Sequence, residues 1–525
     1  PQKFTAYMNA AAENALQPLI VLDWSNRHYD YEGGDFTLPH SDFGRNGYVN
    51  YVRNVLERYN GQIPFVEVWN EVNAGTFVAG PATTDKPGYY SLLLRETYRA
   101  IKSTHPSVKI IAGATVPIAH GFFKSLFEKE SLPYLDAVSI HPYLNFPDSV
   151  ALEISELREL IKLYNDGQTK PIWVTEFSLD ASSEADRDTA ASHLAQIASL
   201  MLSEQVERMY YYLMTDDASF PFRGLFGDAS DVRGAFRPHP ALVAYATLIR
   251  QLGGAVFQHR FSTSPSTYAL SFERGEEQVS VLWSNHPLTV SLATSSALVI
   301  TDMMGGTSRK SPQDGSVSVE LSKNVQYVIG PITSITEVDN DLLADSVSGY
   351  SKNVGENGWY YGYAKVGSNQ TYRPSKFKEM TWGIWGSDNY RWLGKDEYLF
   401  ASGSQMHPST KWAIRRWVSN VAAKVTLFGL ISRGEGGDGV NIRIFLDGNE
   451  IYNRDLLAGE SISYSIPKVK VKIGSKVDFV LNPRGDNSFD ATTFTSTILR
   501  YSKSSSAAGR LKEVTPTKLE IAASD

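Results

Sequence analysis

Over roughly its first 250 residues this chain alternates short apolar runs with amphipathic helical stretches, and few folds tolerate that rhythm. The runs are PLIVLD (18–23), FVEVW (65–69), KIIA (109–112), LDAVSI (135–140), IWVT (172–175) and MYYYL (209–213). Each is too short for a helix and apolar on nearly every position, which marks a strand buried on both faces. Between them apolar residues recur at helical spacing, as in Val52, Val55, Leu56 and Tyr59, and again in Tyr90, Leu94, Tyr98 and Ile101. Strand and helix in strict turn predict a parallel sheet sheathed in helices. Polar and aromatic residues gather at the C-terminal ends of the runs, where a (β/α)₈ barrel places its site, so the reading is a barrel rather than an open sheet.

A barrel needs eight strands and six are visible. The expectation is therefore an α/β (β/α)₈ TIM barrel over 1–252 that lacks its first two strands in this chain. The visible runs are then strands 3–8, and a separate N-terminal fragment is a candidate partner that completes the barrel. From about Val256 the pattern turns to short alternating strands punctuated by turn residues, which predicts two all-β sandwich domains. The first spans 253–334 and packs on the barrel; the second spans 335–505, followed by a loose Ser/Ala/Lys-rich tail over 506–525.

Six of the ten tryptophans fall in the second sandwich: Trp359, Trp382, Trp385, Trp392, Trp412 and Trp417. Two readings stand side by side, a carbohydrate-binding module that stacks sugars on flat rings, or a Trp-rich core with a domain interface. The Arg415-Arg416 pair fits an acidic polysaccharide or local carboxylates. The acidic stretch 486–490 is a candidate holder of structural calcium. Net charge is −7 and no Lys/Arg block occurs, which argues against a nucleic-acid partner. With no cysteine, disulfides and thiolate metal sites are excluded. No apolar run reaches the length of a membrane span. No catalytic metal and no cofactor are expected, since no HExxH, phosphate loop or dinucleotide fingerprint is present.

Chemistry concentrates at two strand ends. Glu71 closes Trp69-Asn70-Glu71 after the second run, and Glu176 sits in Thr175-Glu176-Phe177 after the fifth. If these runs are barrel strands 4 and 7, the two carboxyls face each other across the mouth. Glycoside hydrolysis with retention needs such a pair, one acid to protonate the leaving oxygen and one nucleophile. LDWSN (22–26), WNEVN (69–73), IHPY (140–143) and TEF (175–177), in this order, resemble glycoside hydrolase clan A, and family 39 most. The resemblance covers 1 to about 331. It implies a secreted retaining glycosidase with Glu71 as acid/base and Glu176 as nucleophile. It further implies that Asn70 bonds the sugar 2-hydroxyl and that His141 and Tyr143 line the subsite, with carbohydrate as partner.

Asp23 and Trp24, at the end of the first run, are candidate substrate contacts. Many clan members place a tryptophan platform after strand 8, where this chain reads YYYLMTDD (210–217), so Tyr212 or one of Asp216 and Asp217 is expected to take that role. Glu67 is expected to make an internal ion pair. A rival reading from another class is a non-catalytic glycan-binding matrix protein on a degenerate barrel; a collapsed mouth would favour it.

Overall fold

A computed structural model describes residues 2–144, 146–179, 181, 183–338, 340–365, 372–386 and 388–501. The expected tail, 506–525, lies outside them. After helix α1 (Gln2–Glu13) the chain runs β1 (Leu19–Leu22), α2 (Asp42–Arg58), β2 (Phe65–Val68), α3 (Lys86–Thr104), β3 (Lys109–Thr115) and α4 (His120–Phe127). It continues through β4 (Ala137–Ile140), α5 (Val150–Tyr164), β5 (Ile172–Phe177), α6 (Arg187–Ser203), β6 (Arg208–Tyr211) and α7 (Pro240–Leu252). The six strands form one parallel sheet in chain order, β1 to β6.

The sheet curls. Side chains from all six strands (Leu19, Phe65, Ile111, Ala137, Trp173 and Tyr210) meet in one interior cluster. The Phe65 and Trp173 rings, on β2 and β5, touch edge to face at 5.0 Å. At the open side Arg208 of β6 bonds Gln17, just ahead of β1, at 3.1 Å. The result is a partial barrel of six parallel strands with helices outside. Local chemistry fixes the helix starts: Ser41 accepts from Gly44 N ahead of α2, and Asp85 accepts from Gly88 N ahead of α3.

Residues 256–338 form a six-stranded antiparallel sheet facing a three-stranded one. Ser334–Val338 pairs with Leu288–Ala293 of the latter, so this sandwich runs a few residues past the expected boundary at 334. The sandwich grips the barrel through α6, where Ser192 and Gln196 bond Asn324 and the Lys323 carbonyl. Asp148 accepts from Tyr268 and from Asn285.

The C-terminal region, Leu342 to Arg500, is a second pair of antiparallel sheets, of nine and six strands. Trp359, Trp392, Trp412 and Trp417 are buried in it. Trp382 stacks on Tyr390, whose ring meets His120 at the start of α4. Gly121 N donates to the Asp388 carbonyl, and Asn389 donates to Glu153 of α5. Most of the tryptophans thus serve the core and this seam with the barrel.

Of the two readings of Arg415-Arg416, local partners are what the packing supplies. Arg415 is wholly buried and bonds the carbonyls of Ser402, Gly403 and Phe494, while Arg416 pairs with buried Asp478 at 2.6 Å. In the acidic stretch 486–490, Asp490 is buried against Arg433 at 3.0 Å and Asp486 accepts from Ser488. Among the described residues no helix is long and apolar enough to cross a membrane.

Candidate active site

In a parallel sheet every C-terminal strand end opens on the same rim. Asp23 follows β1, Glu71 stands three residues past β2, His141 follows β4, Glu176 is the penultimate residue of β5, and Tyr212 follows β6. The β4–β5 register pairs Ile140 with Val174, which sets His141 beside Thr175.

The turn that aims Glu71 is strained. Trp69 and Glu71 both adopt left-handed backbone, φ 64° and 42°, a conformation that costs a non-glycine residue about 1–3 kcal/mol. The surroundings hold it: Trp69 is fully buried, its Nε1 donates to the Phe77 carbonyl at 2.8 Å, and Glu71's own carbonyl accepts from Ala74 N. Asn73 then ties this loop to the end of β3, with Nδ2 to the Val116 carbonyl and Oδ1 to Val116 N.

The sequence-selected carboxylates converge. One oxygen of Glu71, one of Glu176 and a ring nitrogen of His141 lie within 4.8 Å of one another. His141 Nδ1 is 3.0 Å from Glu71 Oε1 and 3.9 Å from Glu176 Oε2. Tyr143 donates its hydroxyl to Glu176 Oε2 at 2.5 Å. Burial and the Glu176 charge hold the Tyr143 proton far above the usual phenol range, so this hydroxyl stays a donor. Burial opposes a charge on His141, but its bond to Glu71 and the fields of Glu176 and Glu67 prevail and keep its pKa above the ordinary histidine value. Asp23, partly buried and near Glu176, is pushed up to about 6, chiefly by burial.

Other expected contacts sort by position. Asn70 is partly exposed at the rim beside Glu71. Trp24 packs into an aromatic group, stacked on Phe77 at 5.5 Å and edge-on to Phe36 and Trp69, so one of its faces is covered by protein. Tyr212 meets Phe220 edge to face at 5.7 Å, and burial raises its pKa, with Glu176 adding to the shift. Asp216 is not a platform: it is buried against Arg187 at 2.7 Å and takes Gly224 N and His239 Nε2 as well.

One residue escaped the sequence reading, and another was placed differently. Arg223 lies over the rings of Tyr143, at 5.4 Å, and Phe220, at 4.3 Å; a lone arginine in a loop gives no sequence signal. Glu67, expected in an ion pair, instead accepts from Thr175 Oγ1 at 2.9 Å. Glu71, His141 and Glu176 have the spacing to hold a cation, as do Asp30, Glu32 and His40. His141 bonds Glu71, Tyr143 bonds Glu176, and Asp30 accepts from Ser41 and from His40 N.

Residues 51–231 match the family described as "glycosyl hydrolase catalytic core". No curated protein matches the chain. Among solved structures, a family 39 glycoside hydrolase from Bacteroides cellulosilyticus WH2 aligns with TM-score 0.55 and 20% identity, over 63% of this chain and 71% of that one. A family 39 beta-xylosidase from Caulobacter crescentus aligns with TM-score 0.44 and 18% identity, over 61% and 81%. A family 30 endoxylanase from Clostridium papyrosolvens C71 gives TM-score 0.44 and 13% identity, over 62% and 82%. The first of these shares the fold over the aligned part. Both the Glu71 and Glu176 strand ends fall inside the segment that matches this family.

Proposed function

We propose that the protein is a retaining glycoside hydrolase that cleaves a polysaccharide or oligosaccharide by double displacement. The observation that carries this reading is the approach of Glu71 and Glu176 oxygens to within 4.8 Å of each other. Carboxyls about 5–5.5 Å apart suit direct attack on the anomeric carbon, whereas inverting enzymes need about 6.5–9.5 Å to seat a water between carboxylate and sugar. In the first step Glu176 attacks the anomeric carbon while Glu71 gives its proton to the departing glycosidic oxygen. In the second, Glu71 takes a proton from water, which displaces Glu176 and regenerates the free enzyme.

Tyr143 holds Glu176 Oε2 and leaves the other oxygen to attack. Asn70, beside Glu71 on the rim, reaches the sugar next to the anomeric centre, and Asp23, Trp24 and Tyr212 border the same opening. An extracellular setting suits a polymeric substrate. The convergence of Glu71, His141 and Glu176 favours this reading over that of a degenerate binding barrel.

The test is a panel of plant, algal and bacterial glycans, xylans and uronate-containing polymers included, offered to wild type and to Glu71→Gln and Glu176→Gln. Each substitution should lower kcat by roughly 10²-fold or more while the melting temperature holds. Cleavage that persists at the wild-type rate in both variants would refute the assignment.

A further inference from the structure

Glu67 sits inside the partial barrel on β2, four residues before Glu71, and is 1% exposed. Among the described residues no lysine or arginine pairs with it. It touches a continuous line of groups instead. Thr175 Oγ1 lies 2.9 Å from Glu67 Oε1 and 3.0 Å from His141 Nε2, and His141 Nδ1 lies 3.0 Å from Glu71 Oε1. A threonine hydroxyl owns one hydrogen, and a neutral imidazole has one donor and one acceptor nitrogen. The direction of each bond therefore fixes the next.

A charged imidazole donates at both ends and leaves both carboxylates ionised; with a neutral imidazole, two arrangements satisfy every member. With Glu67 ionised, Thr175 donates to it and accepts from His141 Nε2–H. The Nδ1 lone pair then faces Glu71, and Glu71 carries the proton. With Glu67 protonated, every bond reverses: Glu67 donates to Thr175, Thr175 to Nε2, and Nδ1–H to an ionised Glu71. Passing from the second arrangement to the first takes three hops, Glu67 to Thr175 Oγ1, Thr175 to Nε2, and Nδ1 to Glu71. One proton equivalent moves, and only O–H and N–H bonds break and form.

We infer that Glu67, Thr175 and His141 form a proton wire ending on Glu71, in which Glu67 is a positioning residue that selects the acid or base form of Glu71. The inference rests on the reading of Glu71 as acid/base, since double displacement requires the same carboxyl to alternate between those two forms. Burial raises the Glu67 pKa, which suits a group that must hold a proton part of the time. Tyr90 of α3 and Tyr210 of β6 also face Glu67, and burial keeps both phenols neutral. Ser139 of β4 also bonds Glu67, and Glu176 is a further charge in range, on the far side of His141.

The test reads His141 directly and needs no substrate. Ring-nitrogen NMR of histidine-labelled full-length protein is followed with pH; the chain has 10 histidines, and His141→Gln identifies the signal. In Glu67→Gln the negative end of the wire is gone, so the His141 midpoint should fall by about one pH unit. Thr175→Val should reproduce that fall, and Thr175→Ser, which keeps the hydroxyl, should match wild type. Should Glu67→Gln fail to fold, the Val and Ser variants carry the comparison alone. Midpoints unchanged in Glu67→Gln and Thr175→Val, or equal shifts in the Val and Ser variants, overturn the wire.

Activity separates the two levels. With an aryl glycoside that wild type cleaves, Glu67→Gln should slow a poor leaving group more than a dinitrophenyl one, which needs little acid assistance. A linked His141 titration in a protein that cleaves no glycoside would sink the hydrolase reading and leave the wire standing. Cleavage with an unlinked His141 would sink the wire alone.

Discussion

A single hydroxyl orients the candidate nucleophile, because Tyr143 donates to Glu176 Oε2 and cannot ionise in its buried position. A hydrogen bond to a charged group contributes about 1.5–3 kcal/mol. Tyr143→Phe should therefore lower kcat roughly ten- to a hundredfold with little change in KM, measured by initial rates on the substrate found in the panel. Loss in KM alone would assign Tyr143 to sugar binding instead. At this scale the sequence showed Glu71, Glu176, His141 and Tyr143, because each stands in a short run at a strand end. It did not show Thr175 joining Glu67 to His141, at 2.9 and 3.0 Å, which depends on β5 lying across the interior from β2. The placement of Arg223 over Tyr143 was hidden for the same reason, since a loop with no periodicity decides it.

Among the elements, strands were legible and loops were not. Runs such as IWVT and FVEVW are apolar on both faces because both faces are buried, and the structure places strands there, Ile172–Phe177 and Phe65–Val68. The stretch after β6 was misjudged at Asp216, which faces inward and fastens the loop that bears Tyr212 and Arg223. Its carboxylate receives Arg187, His239 and Gly224 N. Removing one partner of a buried pair strands the other charge, at about 3–5 kcal/mol. Asp216→Ala should cost that much in urea unfolding. An effect below 1 kcal/mol, within the range of an exposed pair, would show that the loop is held by other contacts.

For the whole molecule, the C-terminal sandwich meets the barrel at the helix starts that crown the strand ends. Glu153 is largely enclosed there, bonded to Asn389, and pushed up to about 8 by desolvation and by the nearby Asp388 carboxylate. Its native form holds a proton that the unfolded chain releases near the ordinary glutamate value. Stability from this group is therefore full at acid pH and is lost as pH rises towards 8. Glu153→Gln should flatten that decline and gain roughly 1–3 kcal/mol at pH 8, with no gain at pH 4. Thermal melts across this range decide it; equal gains at both pH values would contradict the shift. Sequence alone left the Trp-rich sandwich between two readings because a ring's type does not tell which way it faces, and only packing buries Trp359, Trp392, Trp412 and Trp417.

The central claim is that Glu176 becomes covalently bonded to sugar. A 2-deoxy-2-fluoro glycoside with a dinitrophenyl leaving group slows the second step more than the first and lets that intermediate accumulate. Proteolysis and mass spectrometry of the inactivated protein should find one added glycosyl group on the peptide containing Glu176. A label on any other residue, or an inverted anomer in the product of a substrate the enzyme does cleave, would contradict the account.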